Sequence, residues 1–229
     1  MPAQAPRRRQ AADGATSPIS ISQHIQDHPL MTEVQPPLVM WHASQVTPED
    51  RQQLLRQKPI TVWLTGLSAS GKSTLAFALE RRLLDKGQLS FVLDGDNVRH
   101  GLNSNLGFSA EDRAENIRRV AEVAKLMNDA GLIVIAAFIS PFSQDRALAQ
   151  AIIGAEHFRE VHVSTSLGVC ESRDPKGMYS KARSGGLANF TGISSPYEAP
   201  EQPHLRIDTQ NVSLDAGVDQ LLALINGAH

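Results

Sequence analysis

Short apolar runs alternate along the chain with stretches in which apolar residues recur every three or four positions. Runs of this length predict strands, and the three-to-four spacing predicts amphipathic helices. Five strands are predicted, at 60–65, 89–93, 132–139, 160–164 and 204–209. The longest apolar run, LIVIAAFI, is too short to span a bilayer and is typical of a strand buried on both faces.

Helices are predicted between and around these strands. Thr47-Pro48 followed by acidic residues has the composition of a helix start, and Gly87 and Gly131 stand where helices are expected to stop. The predicted helices span 48–57, 72–86, 109–131, 144–153 and 214–225. This alternation favours an α/β fold in which a parallel sheet is flanked by helices on both faces.

Polar residues stand where three of the apolar runs end. These ends are Thr65-Gly66, Asp94-Gly95-Asp96 and Ser140-Pro141. Open parallel sheets bind their ligands at the carboxyl ends of the strands. The three ends therefore predict one ligand site at this edge of the sheet.

The stretch GLSASGKS, residues 66–73, lies between the first predicted strand and the second predicted helix. Backbone N–H groups of such a turn, with the N-terminus of the next helix, form a cradle for phosphate. In this interpretation Lys72 reaches the β- and γ-phosphates of a bound polyphosphate, and Ser73 offers a hydroxyl to Mg²⁺. The alternative is a Gly/Ser-rich turn that only connects two elements.

Asp94 and Asp96 follow the second predicted strand. A carboxylate there can hold the water shell of a metal, or accept the proton of an attacking hydroxyl during phosphoryl transfer. The structural alternatives are an Asx-turn at Asp94 and a helix N-cap at Asp96.

A group of arginines surrounds the start of the third predicted helix. Arg113 and Asn116 are three positions apart and share a helix face, so both can reach one ligand, whereas Arg119 lies further round toward solvent. Arginine suits a bidentate grip on phosphate or sulfate; the alternative for Arg118 and Arg119 is a solvated helix with Glu/Arg pairs. Phe108 is expected either to stack on a base or to be buried as a hydrophobic staple.

Two further segments are candidates for substrate contact. Ser140 follows the buried strand, and three roles are open to it: phosphoryl acceptor, hydrogen-bond donor to the substrate, or turn residue. Because the γ-phosphoryl group can pass directly to the substrate without a covalent serine, contact with the substrate is favoured. Residues 174–203 are rich in Gly, Pro and basic residues. They predict a mobile lid that closes over phosphates and excludes water, or alternatively a basic surface loop.

Composition limits the remaining possibilities. The chain has 229 residues, a formal net charge of -2 and one cysteine, Cys170. We therefore expect one domain, at 37–229, with neither a nucleic-acid partner nor a membrane span, in a reducing compartment such as the cytoplasm. Residues 1–36, rich in Pro, Gln, Ala and Ser, predict a disordered tail.

The ordered set of motifs resembles the adenylylsulfate kinase family, whose members are P-loop kinases that phosphorylate the 3′-hydroxyl of adenosine 5′-phosphosulfate (APS). The resemblance rests on GLSASGKS, LDGDNVRHGLN, LGFSAEDRAENIRRVAEVAKLMNDAG, AFISPF, CESRDPKGMYSKAR and FTGISSPYEAP. It implies a three-layer P-loop fold with a mobile lid, ATP and Mg²⁺ as cofactors, and a role in sulfate assimilation. It also implies a homodimer and APS supplied by a separate ATP sulfurylase.

The resemblance also implies site residues. Ser73 and Asp94 would hold the metal, and Lys72, Asp94 and Ser140 would be catalytic, with Ser140 matching a serine assigned as a phosphoserine intermediate. ATP would bind to Gly66, Leu67, Ser68, Ala69, Ser70, Gly71, Lys72, Ser73 and Thr74. APS would bind to Asp96, Asn97, Arg99, Phe108, Arg113, Asn116, Ile139, Ser140, Lys181 and Phe190, with Phe190 stacked on its adenine.

One departure and three rivals accompany the resemblance. Ala188-Asn189 stands where many relatives carry Lys-Gly, which removes a charge from the lid. A kinase for another small acceptor is the first rival, although two aromatic rings suit an adenine better than a sugar acid. A GTPase switch predicts an Asn-Lys-x-Asp motif, which the sequence lacks. A silent module that senses adenylyl sulfate is disfavoured by the intact Lys72, Ser73 and Asp94.

Overall fold

The computed structural model describes residues 39–227. The predicted tail at 1–36, and with it the predicted domain boundary, lies outside the described residues. Ser44 begins the compact unit that contains all the helices and strands named below. Within 39–227, no helix combines the length and the apolar character needed to cross a bilayer.

Five parallel strands form one sheet in the order β2-β3-β1-β4-β5. The strands are β1 (Ile60–Thr65), β2 (Ser90–Asp94), β3 (Ile133–Ala137), β4 (Phe158–Val163) and β5 (Leu205–Ile207). Leu64 pairs with Ala137 and Thr65 with His162, so the carboxyl ends of the three central strands meet at one edge. All five predicted strands are confirmed: β1 has the predicted bounds, β2 begins and ends one residue later, β4 begins two residues earlier and ends one earlier, and β3 and β5 are shorter.

Seven α-helices accompany the sheet in the described part of the chain. They are α1 (Pro48–Leu55), α2 (Lys72–Asp85), α3 (Ala110–Asp129), α4 (Ser143–Ile153), α5 (Leu167–Arg173), α6 (Met178–Arg183) and α7 (Leu214–Asn226). Their starts follow the predicted caps: the Thr47 hydroxyl accepts from the Asp50 N–H, and the Ser109 hydroxyl from the Asp112 N–H.

The core lies in two layers, one on each face of the sheet. Because side chains alternate along a strand, Val62 and Leu64 of β1 pack against α2 and α7, whereas Trp63 packs against α3 and α4. This arrangement confirms the predicted three-layer fold with a parallel sheet.

Three short elements depart from the sequence prediction. A 3₁₀ turn at Asn97–His100 follows β2, α5 follows β4, and α6 lies inside 174–203, where the sequence pattern predicts no helix. Each is seven residues or fewer, too short for an apolar stripe to repeat. The predicted lid therefore contains a helix.

Candidate active site

The loop between β1 and α2 forms a cradle whose shape requires glycine at two positions. A Cβ on Gly66 would stand 2.5 Å from the Val163 carbonyl oxygen, closer than real Cβ contacts allow. Gly71 has φ +100° and faces the Thr209 side chain. Ala69 between them has φ +58°, a strained value for a residue with a side chain. The backbone is thus bent into a turn that leads into the N-terminus of α2, where anions bind.

Lys72 closes the cradle from inside. Its Nζ donates hydrogen bonds to the carbonyl oxygens of Gly66 (3.0 Å) and Leu67 (2.7 Å) and lies 3.5 Å from the Ser70 hydroxyl. Burial lowers the pKa of Lys72 from 10.5 to about 8, although nearby carboxylates oppose the shift. The carbonyl oxygens are uncharged and leave the positive charge of the buried ammonium group unneutralised. The group is therefore a binding site for an anion.

Two oxygen ligands meet beside the cradle. The Ser73 hydroxyl donates to Asp94 Oδ2 at 2.7 Å, while Asp94 Oδ1 accepts from the N–H groups of Asp96 and Asn97. Asp94 therefore both forms the predicted Asx-type turn and presents a carboxylate oxygen. A hydroxyl and a carboxylate suit Mg²⁺, which binds through one or two protein oxygens plus phosphates and water. Among residues 39–227 there is no cluster of three acidic, His or Cys ligands that would instead indicate an all-protein metal cage.

Two cavities meet at the cradle. The larger cavity, about 640 Å³, extends from the cradle toward Arg173 and Thr209, and the smaller, about 320 Å³, extends toward α3 and the segment after α6. Residues common to both linings are Ser68, Ala69, Lys72, Ser73, Asp94, Asp96 and Lys176. A ligand in each cavity would therefore face the other across Lys72 and Asp94.

Most residues predicted to bind ATP or substrate line these cavities. Gly71, Thr74 and Asn97 line the larger cavity, and Ile139 lines the smaller. Gly66, Leu67 and Ser70 belong to the cradle but line neither cavity, and their oxygens face Lys72 Nζ. Lys181 is exposed on α6 and lines neither cavity, whereas Lys176 lines both and pairs with Asp96.

Arg99 and Phe108 form one wall of the smaller cavity. The Arg99 guanidinium lies 4.3 Å from the centre of the Phe108 ring and donates to the carbonyl oxygens of Leu106 and Gly107. Partial burial lowers the pKa of Arg99, which stays charged at any physiological pH. Phe108 is 63% exposed, so the interpretation as a buried staple is wrong.

Arg113 and Asn116 project from α3 into the same cavity. Arg113 donates to the Phe108 carbonyl (3.0 Å), the Thr191 hydroxyl (2.8 Å) and the Asn189 carbonyl, which ties the segment after α6 to α3. Partial burial and the neighbouring Arg99 lower the pKa of Arg113. Asn116 accepts from the buried amide of Asn103 at 2.9 Å.

Arg118 and Arg119 lie outside the site. Both bind the Glu115 carboxylate, at 2.7 and 2.8 Å, on the outer part of α3. The alternative of a helix with Glu/Arg pairs is therefore confirmed for these two residues.

Ser140 is held by residues that sequence reasoning did not assign to the site. It is 2% exposed, with φ +38°, and lines the smaller cavity. The Trp63 indole N–H donates to its hydroxyl oxygen at 3.1 Å, and Arg146, ion-paired with Glu160 at 2.7 Å, donates to its carbonyl at 2.9 Å. A buried indole N–H needs a hydrogen-bond acceptor, and this need of Trp63 is the only feature of the sequence that could have indicated the contact.

The segment after α5 covers both cavities. Tyr179 on α6 donates to the Ser68 carbonyl at 3.0 Å, and its ring meets Phe190 edge-on at 5.0 Å. Phe190 and Phe108 both line the smaller cavity. Two aromatic rings and two guanidinium groups around one cavity suit a flat base attached to an anionic group.

The family model for adenylylsulphate kinase matches residues 58–208. An adenylyl-sulfate kinase of Phocaeicola vulgatus is 58% identical over 177 residues, which cover 77% of this chain and 87% of that one.

Two solved structures extend the comparison. The Mycobacterium tuberculosis APS kinase CysC, solved in complex with AMPPNP and APS, is 49% identical, with a TM-score of 0.71 over 74% of this chain and 99% of that one. A hexameric APS kinase from Thiobacillus denitrificans is 36% identical, with a TM-score of 0.57 over 75% of this chain and 29% of that one.

Proposed function

The chain belongs to the adenylylsulphate kinase family, and we propose that the two cavities are where it transfers the γ-phosphoryl group of ATP to the 3′-hydroxyl of APS. The products are ADP and 3′-phosphoadenosine 5′-phosphosulfate. The observation that carries the assignment of the site is the meeting of the cavities at Lys72 and Asp94. Transfer requires donor and acceptor to face each other across charged groups at that point.

ATP occupies the larger cavity, with its phosphates in the cradle. Backbone N–H groups of the cradle and the N-terminus of α2 bind the phosphate oxygens. Lys72 exchanges the carbonyl oxygens of Gly66 and Leu67 for oxygens of the β- and γ-phosphates. Its charge then lies beside the group in transfer, where negative charge must be stabilised.

Ser73 and Asp94 would hold Mg²⁺ through the two oxygens that bind each other in this structure. When bound, the ion neutralises charge on the β- and γ-phosphates. The remaining oxygen of Asp94 is fixed by two backbone N–H groups, so the carboxylate keeps one orientation. Asp94 is thereby set to orient the attacking 3′-hydroxyl or to receive its proton.

APS occupies the smaller cavity. Phe190 and Phe108 stack on its adenine, and Arg99, Arg113 and Asn116 bind its anionic and ribose groups. Arg113 also ties the covering segment to α3, which excludes water from the transfer.

Ser140 contacts APS as a hydrogen-bond donor, and the phosphoryl group moves directly. The Trp63 indole already occupies one lone pair of the Ser140 oxygen, so the hydroxyl proton is free to face the cavity. Incubation with γ-labelled ATP and no acceptor tests this point. We expect no label on the protein, and label on Ser140 would establish a covalent step.

The activity test compares APS with AMP as acceptor in an assay that detects ADP. We expect turnover with APS and little with AMP, because the sulfate is the part that AMP lacks. The Lys72→Ala variant should keep its fold by circular dichroism and lose turnover. Turnover with an unrelated small acceptor and none with APS would contradict the proposal and favour the rival kinase.

The assembly and the surroundings of the enzyme also belong to this proposal. The chain acts as a homodimer in the cytoplasm, where its single cysteine stays reduced, and a separate ATP sulfurylase supplies APS. Light scattering tests the first point, and a mass other than twice that of the chain would exclude the dimer.

A further inference from the structure

One buried side chain touches both the cradle and the wall of the smaller cavity. Tyr179 on α6 is 1% exposed. Its hydroxyl donates to the Ser68 carbonyl at 3.0 Å, and its ring meets the Phe190 ring edge-on, with the centroids 5.0 Å apart and the planes at 82°. Edge-to-face contact is a favoured geometry for two aromatic rings. Tyr179 thus connects the cradle, which both cavities share, to the Phe190 ring, which lines only the smaller cavity.

On the cradle side, the hydrogen bond fixes a peptide plane. A trans peptide is planar, so the Ser68 carbonyl and the Ala69 N–H point in opposite directions. Holding the carbonyl on Tyr179 therefore directs the Ala69 N–H away from α6. Ala69 has φ +58°, a value that costs energy without support, and the bond from Tyr179 supplies such support. Burial raises the pKa of Tyr179, so the phenol remains a donor at neutral pH.

On the side of the smaller cavity, the backbone of Phe190 is held within its own turn. Its carbonyl accepts from the N–H groups of Ile193, Ser194 and Ser195, and its N–H donates to the Ser194 hydroxyl. The ring lines the smaller cavity. Because the turn fixes the backbone, contact with Tyr179 contributes to where the ring lies.

We propose that Tyr179 is a positioning residue that couples occupancy of the two cavities, an inference that rests on the proposed function. Phosphate in the cradle binds the N–H groups and fixes the peptide at Ser68-Ala69. This holds Tyr179 and α6 in place, and the Phe190 ring is then ordered before the base of APS arrives. Coupling of this kind is reciprocal, so APS must tighten nucleotide binding by the same factor.

The test measures four dissociation constants by calorimetry: those of AMPPNP and of APS, each alone and with the other ligand saturating. For the unaltered protein we expect each ligand to tighten the other at least about fivefold. Tyr179→Phe keeps the ring but removes the donor, and we expect the coupling factor to fall toward one, by no more than about tenfold, the upper range for one lost hydrogen bond.

Tyr197→Phe is the matched control. Tyr197 is a half-buried tyrosine whose phenol oxygen lies 3.0 Å from the Thr65 hydroxyl, and it lines neither cavity. We expect this variant to keep the coupling factor of the unaltered protein. A loss of coupling that reflects only a missing phenol hydroxyl would appear in both variants.

The outcomes separate the inference from the proposed function. If the unaltered protein binds neither ligand, the proposed function fails. If it binds both but shows no coupling, or if Tyr179→Phe keeps the full coupling factor, only the role of Tyr179 is overturned. If the melting temperature of Tyr179→Phe is far below that of the unaltered protein, the measurement is made on Phe190→Leu instead. An unchanged affinity of this variant for AMPPNP together with a lost coupling factor would support the inference. A retained coupling factor would refute it.

Discussion

The protonation of Lys72 predicts how nucleotide affinity depends on pH. In the free protein, burial lowers the pKa of Lys72 from 10.5 to about 8. Bound triphosphate replaces two carbonyl oxygens with charged oxygens around Nζ, which favours the ammonium form and raises the pKa again. Binding above pH 8 must therefore take up a proton.

The size of the effect follows from the titration of one group. At pH 7 about nine-tenths of the Lys72 side chains are charged before ATP arrives, and at pH 9 about one-tenth are. The dissociation constant of ATP should thus rise about tenfold from pH 7 to pH 9. Ionisation of the triphosphate does not cause this rise in the dissociation constant, because its last ionisation, near pH 6, is complete below the pH range of the experiment.

The assay is calorimetric titration of Mg-ATP, without acceptor, in two buffers with different enthalpies of ionisation. The difference in heat gives the proton uptake, which we expect to be about half a proton at pH 8 and about 0.9 at pH 9. The Lys72→Met variant should bind weakly, with no uptake. A dissociation constant that stays flat from pH 7 to pH 9, without uptake, would refute the assignment of Lys72 to the phosphates.

Three further predictions test the surrounding structure. Gly66→Ala places a Cβ 2.5 Å from the Val163 carbonyl oxygen, so it should lower the free energy of unfolding by about 1–3 kcal/mol and raise the KM for ATP. Gly168→Ala is the control, because a Cβ there would lie in open space on α5, and it should change neither quantity. If the two variants had equal effects on unfolding and on the KM, the steric argument would be contradicted. Arg146→Met leaves Glu160 without its ion pair and the Ser140 carbonyl with only the longer hydrogen bond from the Thr65 hydroxyl, at 3.4 Å. It should cost about 3–5 kcal/mol in urea denaturation, more than Glu160→Gln, which keeps an acceptor; the reverse order would exclude this role for the pair. Deleting residues 1–36 should leave kcat and both KM values nearly unchanged, and a large loss of activity would show that the predicted tail takes part in the reaction.

The sequence predicted the frame of the molecule well. Periodicity placed all five strands because each contains a short apolar run between polar, proline or glycine residues, and the Gly66 to Ser73 spacing located the cradle. The polar strand ends also predicted correctly that Asp94 and Ser140 line one cavity. These features are encoded locally, in residues that are neighbours in the chain.

Contacts between distant residues could not be predicted in this way. Trp63 stacks on Phe138 in the core, and its indole N–H also binds Ser140, 77 positions further along. Lys176 rather than Lys181 lines the cavities because α6 turns Lys181 outward, and a helix of six residues leaves no periodic signal. Which basic residue of the lid reaches the site therefore depends on a turn that only the folded chain reveals.

The most direct test of the central claim is a crystal structure of the protein with AMPPNP and APS bound together. The account predicts the triphosphate in the cradle against Lys72, and the APS ribose in the smaller cavity with its 3′-oxygen about 3–3.5 Å from the γ-phosphorus. A ribose turned away from the γ-phosphoryl group, or APS bound outside the smaller cavity, would contradict it.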